Sequence, residues 1–217
     1  MTRLGHEMIA LLILSMLAVS GLCTLADIET PSPLSSVKSQ VQETEIGDLV
    51  ADALKSTAQT PIALLPAGVL RDITIPKGKF KPDAVLKSLQ YPDDRLAVVE
   101  LTGAQVISTL ERSVSIYPQK NLGFLQVSGI TFTFDSKSSK GSRIVSVMVG
   151  KEKLVADQKY RVTTTLPLAN GAYGYFTIWG RDQIQPLKGK TVSQAVNDFL
   201  SSRSSVDYQE LKRIVRK

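Results

Sequence analysis

The stretch FLQVSGITFTFD, Phe124 to Asp135, alternates apolar and polar residues, but its apolar parity changes midway. Leu125 and Val127 share one face, whereas Ile130, Phe132 and Phe134 share the other. Successive side chains of a strand point to opposite faces. One uninterrupted strand therefore cannot bury both sets on one side. The face switches at Ser128-Gly129, and a β-bulge is expected there, because glycine tolerates the backbone a bulge needs.

Around this stretch the period changes from two to the helical 3.6 and back. Ile46, Leu49, Val50, Ala53 and Leu54 fall on one helical stripe. Thr102 with Gln105, and Thr191 with Gln194, are capping-box pairs that open helices through about Val114 and Ser201. A shorter helix is expected at Asp83–Leu89. Ile62 to Leu65 is a continuous apolar run, read as a buried strand; further strands are expected at 96–101, 144–149 and 160–168, with KSSKGS as a turn. Helices at both ends with strands between them imply an α+β fold, with mixed sheet layers and helices on the outer faces.

The chain opens like a secretory signal: Arg3, then an uncharged apolar stretch from Met8 to Ala26, closing on small residues at Thr24-Leu25-Ala26. Residues 1–26 are read as a cleaved signal peptide, and the protein as exported to the periplasm or the extracellular space. Left uncleaved, the same stretch approaches the roughly 20 residues that span a bilayer and would anchor the domain. No later run is long enough to span. Residues 27–42, rich in Ser, Pro, Gln and Thr, read as a flexible leader. The domain proper is expected at 43–204, and 205–217 as a basic tail, either a last helix with Leu211, Ile214 and Val215 inward or a frayed end.

The signal contains the only histidine, His6, and the only cysteine, Cys23. The remainder therefore has no Ser-His or Cys-His nucleophile and none of the imidazole or thiol ligands on which zinc and two-metal hydrolytic centres rely. No metal site, cofactor or catalytic residue is expected. Asp93-Asp94 follows a Pro and reads as a turn rather than a carboxylate metal site. Glu43, Glu45 and Asp48 suit the positive end of a helix without further function. The net charge of +6 comes from scattered basic residues, without the clustered face and interleaved aromatics of a nucleic-acid binder, so no nucleic-acid partner is expected.

Five stretches occur in order: ETEIGDLVADAL at 43–54, AGVLRDI at 67–73, VVELTG at 98–103, FLQVSGITFTFD at 124–135 and LANGAYGY at 168–175. Together they resemble the C-terminal domain of the secreted and periplasmic 5'-nucleotidase family. The resemblance implies that family's α+β fold and a role in gripping a nucleoside and part of its phosphate. In the family the metals and the catalytic His-Asp pair belong to a preceding metallophosphoesterase domain, whose place here is taken by the signal and leader. A separate metallophosphoesterase chain is thus one candidate partner, and a small anionic or aromatic ligand another.

The gripping residues the resemblance implies are unevenly kept. The family arginine of Asn-Gly-Gly-Gly-Ile-Arg corresponds to Arg71, and one base-stacking aromatic to Tyr91. The base-contacting Asn becomes Pro66, and two of the glycines become Ala67 and Val69. The second stacking aromatic falls on Pro167, the ribose-binding Asp on Tyr173, and an upstream Arg on Gln42. Asn170 and Gly171 still mark the loop that shapes the pocket floor. Arg71, Tyr91, Asn170, Gly171 and Tyr173 are the candidate ligand-binding residues. Losing one stacking partner costs about 1–3 kcal/mol and each hydrogen bond to a charged group about 1.5–3 kcal/mol. Such losses take a micromolar ligand to millimolar or weaker, because about 1.4 kcal/mol is tenfold. Arg71 is then either an anion contact or a surface charge paired with an acid such as Asp72 or Asp94. Tyr173, Tyr175, Phe176 and Trp179 are either core or a rebuilt pocket.

Overall fold

The computed structural model describes residues 27–210 and 212–217. Residues 1–26, where a signal peptide is expected, and Leu211 lie outside the described residues. In chain order the elements are β1 (Ile28–Thr30), β2 (Leu34–Ser35), α1 (Glu45–Ala58), β3 (Ile62–Pro66), β4 (Thr74–Ile75), β5 (Gly78–Phe80), α2 (Pro82–Leu86) and β6 (Arg95–Thr102). There follow α3 (Gly103–Ser113), β7 (Leu125–Ser128), β8 (Ile130–Phe134), β9 (Ile144–Val149) and β10 (Glu152–Lys153). The last are β11 (Lys159–Thr165), α4 (Leu166–Ala169), β12 (Ile184–Thr191), α5 (Val192–Ser201) and β13 (Ile214–Arg216). No helix among the described residues is long and apolar enough to cross a membrane.

The α+β expectation holds. A five-stranded mixed sheet runs β12-β6-β11-β3-β7, with β11 and β3 parallel, and a four-stranded sheet runs β10-β9-β8-β13. The IALLP run is continuous because β3 is buried on both faces. Ala63 and Leu65 join a core with α1 and α5, while Ile62 and Leu64 join a second core with Val106 and Leu110 of α3 and the phenylalanines of β8. Both capping boxes form: Thr102 Oγ1 accepts from Gln105 N, and Thr191 Oγ1 accepts from Gln194 N.

The parity change at Ser128-Gly129 proves to be a change of sheet, not a bulge. β7 belongs to the five-stranded sheet and β8 to the four-stranded one, so both can aim their apolar residues at one core. Gly129 makes the corner at φ +77°, where a Cβ would lie 1.8 Å from the Pro61 carbonyl oxygen. The strand expected at 160–168 stops at Thr165. Its hydroxyl caps Leu168 N at 3.4 Å, and Pro167 sits in the first turn of α4, where its missing N–H costs no helical bond. The short helix runs over Pro82–Leu86. β12 was not anticipated; its exposed pattern, with Pro186 and a register break, belongs to a sheet edge.

Residues 27–42 are not a flexible leader. β1 pairs with β5 and β2 with β4, and Ile28 and Leu34 are 1% and 0% exposed. These two apolar residues among polar ones find partners about fifty residues and forty residues away, which local composition cannot reveal. The basic tail is neither helix nor frayed end: β13 adds to β8 in parallel. Truncating Leu34 to Ala should destabilise the fold by about 2–5 kcal/mol, measured by urea unfolding; no change would restore the leader reading.

Candidate functional site

After β3 the chain makes one 3-10 turn, Ala67–Val69. Its amide donors are already used: Ala67 N donates to Phe124 O and Gly68 N to Leu122 O, each at 2.8 Å, and Arg71 N donates to Ser88 O at 2.7 Å. The turn therefore offers fewer free N–H groups to an anion than a glycine-rich loop would. The Arg71 side chain is exposed, and its Nε donates to Gln90 Oε1 at 2.7 Å. Among the described residues it pairs with neither Asp72 nor Asp94, nor with any other acid. Tyr91, next to Gln90, is 50% exposed, in a turn where Asp94 N donates to the Tyr91 carbonyl.

Opposite stands the loop after α4. Asn170 ends the helix, and Gly171 turns the chain at φ +93°, where a Cβ would lie 2.5 Å from Phe176 Cβ. Tyr173 also has a positive φ, +58°, unusual for a bulky residue. Two guanidinium donors hold that conformation: Arg112 Nη2 and Nε reach the Tyr173 carbonyl at 2.7 and 3.1 Å. The Tyr173 side chain then lies across Gly68 of the turn and Gly123 of the segment leading into β7. A Cβ on Gly68 would meet the Tyr173 hydroxyl at 2.4 Å, and one on Gly123 would meet Tyr173 Cβ at 2.9 Å. Burial raises the phenol pKa above its ordinary value, with the nearby Tyr91 and Asp94 adding to the effect.

The loop is pinned further along. Tyr175 is fully buried and donates its hydroxyl to Gly123 O at 2.7 Å; Trp179 Nε1 donates to Ala169 O at 2.7 Å; the two rings stack at 5.8 Å. Tyr175 and Trp179 are thus core, while Phe176 is 70% exposed. The structure gathers Arg71, Tyr91 and Tyr173 around the 66–71 turn. Asn170 stands apart, exposed beside a shallow depression with Leu166, Arg181, Ile184 and Pro186, and Gly171 serves the loop's shape.

A second constellation escaped the sequence reading. A cavity of about 690 Å³ is lined by Asp48, Asp52, Phe199, Arg203, Tyr208 and Arg213 among others. Arg213 grips Asp52 with both terminal nitrogens, at 2.8 and 3.0 Å, and its Nε meets Asp48 Oδ2 at 3.1 Å. Tyr208 donates to Asp52 Oδ2 at 2.9 Å, and Ser128 Oγ donates to Asp52 Oδ1. Glu43 accepts from the backbone N–H of Arg213 and of Ile214. Burial pushes the Asp48 carboxyl up to about 9; Arg213 opposes this, and Glu43 and Asp52 add to it. The available signal was the i, i+4 placement of Asp48 and Asp52 beside an apolar stripe; Asp48 is read in the sequence only as suiting the helix's positive end, together with Glu43 and Glu45.

This α+β domain, with an arginine, an exposed tyrosine and a clamped loop tyrosine around one turn, has known counterparts. The 5'-nucleotidase C-terminal domain family matches residues 19–180, and the chain belongs to that family. It is 27% identical over 169 residues to a 5'-nucleotidase of Vibrio parahaemolyticus, covering 78% of this chain and 29% of that protein. It is 30% identical over 145 residues to the trifunctional nucleotide phosphoesterase protein YfkN of Bacillus subtilis, covering 63% of this chain and 10% of that protein. Among solved structures, the 5'-nucleotidase precursor of Thermus thermophilus superposes with a TM-score of 0.78 at 29% identity, over 87% of this chain and 39% of that one. The NAD nucleotidase of Haemophilus influenzae shares the fold, with a TM-score of 0.74 at 17% identity, over 89% of this chain and 38% of that one. The chain thus spans a third or less of the length of these two sequence relatives.

Replacing Arg112 with Ala should remove the clamp on Tyr173. Hydrogen bonds from a charged donor are worth about 1.5–3 kcal/mol, so a loss of that order and faster amide exchange over 171–175 are expected. Unchanged exchange would show that the loop holds itself.

Proposed function

We propose that this chain is an exported, non-hydrolytic binding or interaction module on the 5'-nucleotidase C-terminal fold, whose nucleoside site is filled by its own Tyr173. The observation that carries this reading is the Tyr173 side chain lying across Gly68 and Gly123, in a loop fixed by Arg112, Tyr175 and Trp179. An aromatic base entering there must displace the Tyr173 side chain, whose backbone is held in place by Arg112. The chemistry of the chain agrees: beyond residue 26 it has neither His nor Cys, the side chains that activate most nucleophiles and hold most catalytic metals.

The purified chain should release no phosphate from AMP with Mg²⁺ or Mn²⁺. Millimolar AMP, adenosine or phosphate should leave its melting temperature unchanged. The Tyr173→Gly variant should acquire a shift with adenosine that the wild type lacks. Metal-dependent turnover by the wild type, or a shift at micromolar AMP, would overturn the proposal.

The exposure of Arg71 and Tyr91 favours one second reading. The chain would be the nucleotide-gripping component of a hydrolase used in nucleotide catabolism, with the metal centre supplied by a separate metallophosphoesterase chain. That reading requires AMP hydrolysis that appears only when both chains are present and falls on Arg71→Ala substitution.

A further inference from the structure

One end of the four-stranded sheet gathers cations and bare aliphatic side chains, because three segments meet there. The loop after α3 reaches β9 through Arg143, whose Nη1 donates to the carbonyls of Val114 and Tyr117. β13 meets the same loop through Arg216, whose Nη1 donates to the Tyr117 hydroxyl at 2.7 Å. Tyr117 in turn packs edge-on against Phe134 of β8, with ring centroids 5.2 Å apart. Lys217 N donates to Phe134 O, and Ser136 Oγ donates to Lys217 O, so the end of β13 lies beside the start of the β8–β9 turn. These contacts bring Lys120, Lys137, Lys140, Arg216 and Lys217, all exposed, to one rim of the domain.

The cations lack local counter-charges. Among the described residues, none of the five makes an ion pair. The acids nearest to them in the chain are committed elsewhere: Glu111 Oε1 accepts from Ile144 N at 2.6 Å, and Asp135 accepts from Lys137 N and Ser138 Oγ. The same rim leaves Ile116 42% and Val145 51% exposed, with Pro118 exposed beside Ile116. Neither Ile116 nor Val145 belongs to the hydrophobic cores. A nucleic acid or other soluble polyanion would use the cations and leave these aliphatic groups in water. An anionic bilayer uses both, taking the cations at its headgroups and the aliphatic groups at its acyl boundary.

We propose that this rim is a docking surface for an anionic phospholipid bilayer: Lys120, Lys137, Lys140, Arg216 and Lys217 meet the headgroup phosphates, and Ile116 and Val145 dip beneath them. The docking is independent of the nucleoside-site reading, because it uses none of Arg71, Tyr91 or Tyr173. Each basic residue held near an anionic membrane multiplies the partition coefficient by about fivefold. That attraction fades beyond a Debye length, about 10 Å at 0.1 M salt, so the docking is modest and salt-sensitive. The domain rests on the surface; no helix among the described residues is long and apolar enough to cross.

The test is co-sedimentation of the intact chain with two kinds of vesicle: pure phosphatidylcholine, and about two parts phosphatidylcholine to one part phosphatidylglycerol. The ratio of the two partition coefficients cancels any binding by the uncharged stretch from Met8 to Ala26. That ratio should be about tenfold or more at about 0.05 M salt and approach unity at about 0.5 M. Replacing Lys137, Lys140 and Lys217 together with Gln should cut it at least about tenfold. The same replacement at Lys77, Lys79 and Lys81, exposed lysines on and beside β5, should leave it unchanged. Ile116→Trp should give a tryptophan emission that shifts to the blue with the phosphatidylglycerol vesicles and not with the others. No preference for phosphatidylglycerol, an equal loss in both triple variants, or an unshifted Ile116→Trp emission would overturn the proposal. So would retention on heparin without vesicle binding, which would assign the rim to a soluble polyanion.

Discussion

A strand with no solvent-facing side leaves its neighbours little freedom. β3 lies between two hydrophobic cores and pairs with β11 on one side and β7 on the other, so every side chain from Ile62 to Pro66 is buried. Whatever follows it must emerge at a set point and direction. The 66–71 turn emerges there, its amides tied to the Leu122–Phe124 segment that leads into β7. The position of Arg71 thus follows from the packing of β3, not from any ligand.

The loop opposite is held by different means. It is packed into the core through Tyr175 and Trp179 and fixed by directed hydrogen bonds from Arg112, Tyr175 and Trp179. A non-glycine residue at positive φ costs of order 1–3 kcal/mol and persists only where its surroundings over-determine it. Tyr173 meets that condition through the Arg112 clamp. The fold of the 5'-nucleotidase C-terminal domain is kept, and the loop after α4 presents a phenol to Gly68 and Gly123.

What the sequence revealed tracks how local each interaction is. α1, α3 and α5 were readable because an apolar stripe and a cap lie within a dozen residues. β3 was readable because burial on both faces leaves an unbroken apolar run. β1 and β2 were not, since each is two or three residues long and pairs with β5 or β4 far along the chain. β12 was hidden because an exposed edge strand need not alternate and tolerates Pro186. Family correspondence pointed to Arg71, Tyr91 and Tyr173, which lie around the 66–71 turn, but not to the backbone conformation of Tyr173, which Arg112 holds from sixty-one residues away. The acidic pit was least legible of all, because Glu43 and Arg213 are 170 residues apart and each looks ordinary alone.

The small ladder at the start of the fold also bears on connectivity. Glu29 N donates to Ser204 O and Val206 N donates to Glu29 O, each at 2.9 Å, so the first strand runs beside the segment that leaves α5. Segments at opposite ends of the fold are stitched together there, so cutting back the first strand would leave the Ser204 carbonyl and the Val206 amide without these partners and loosen the exit from α5.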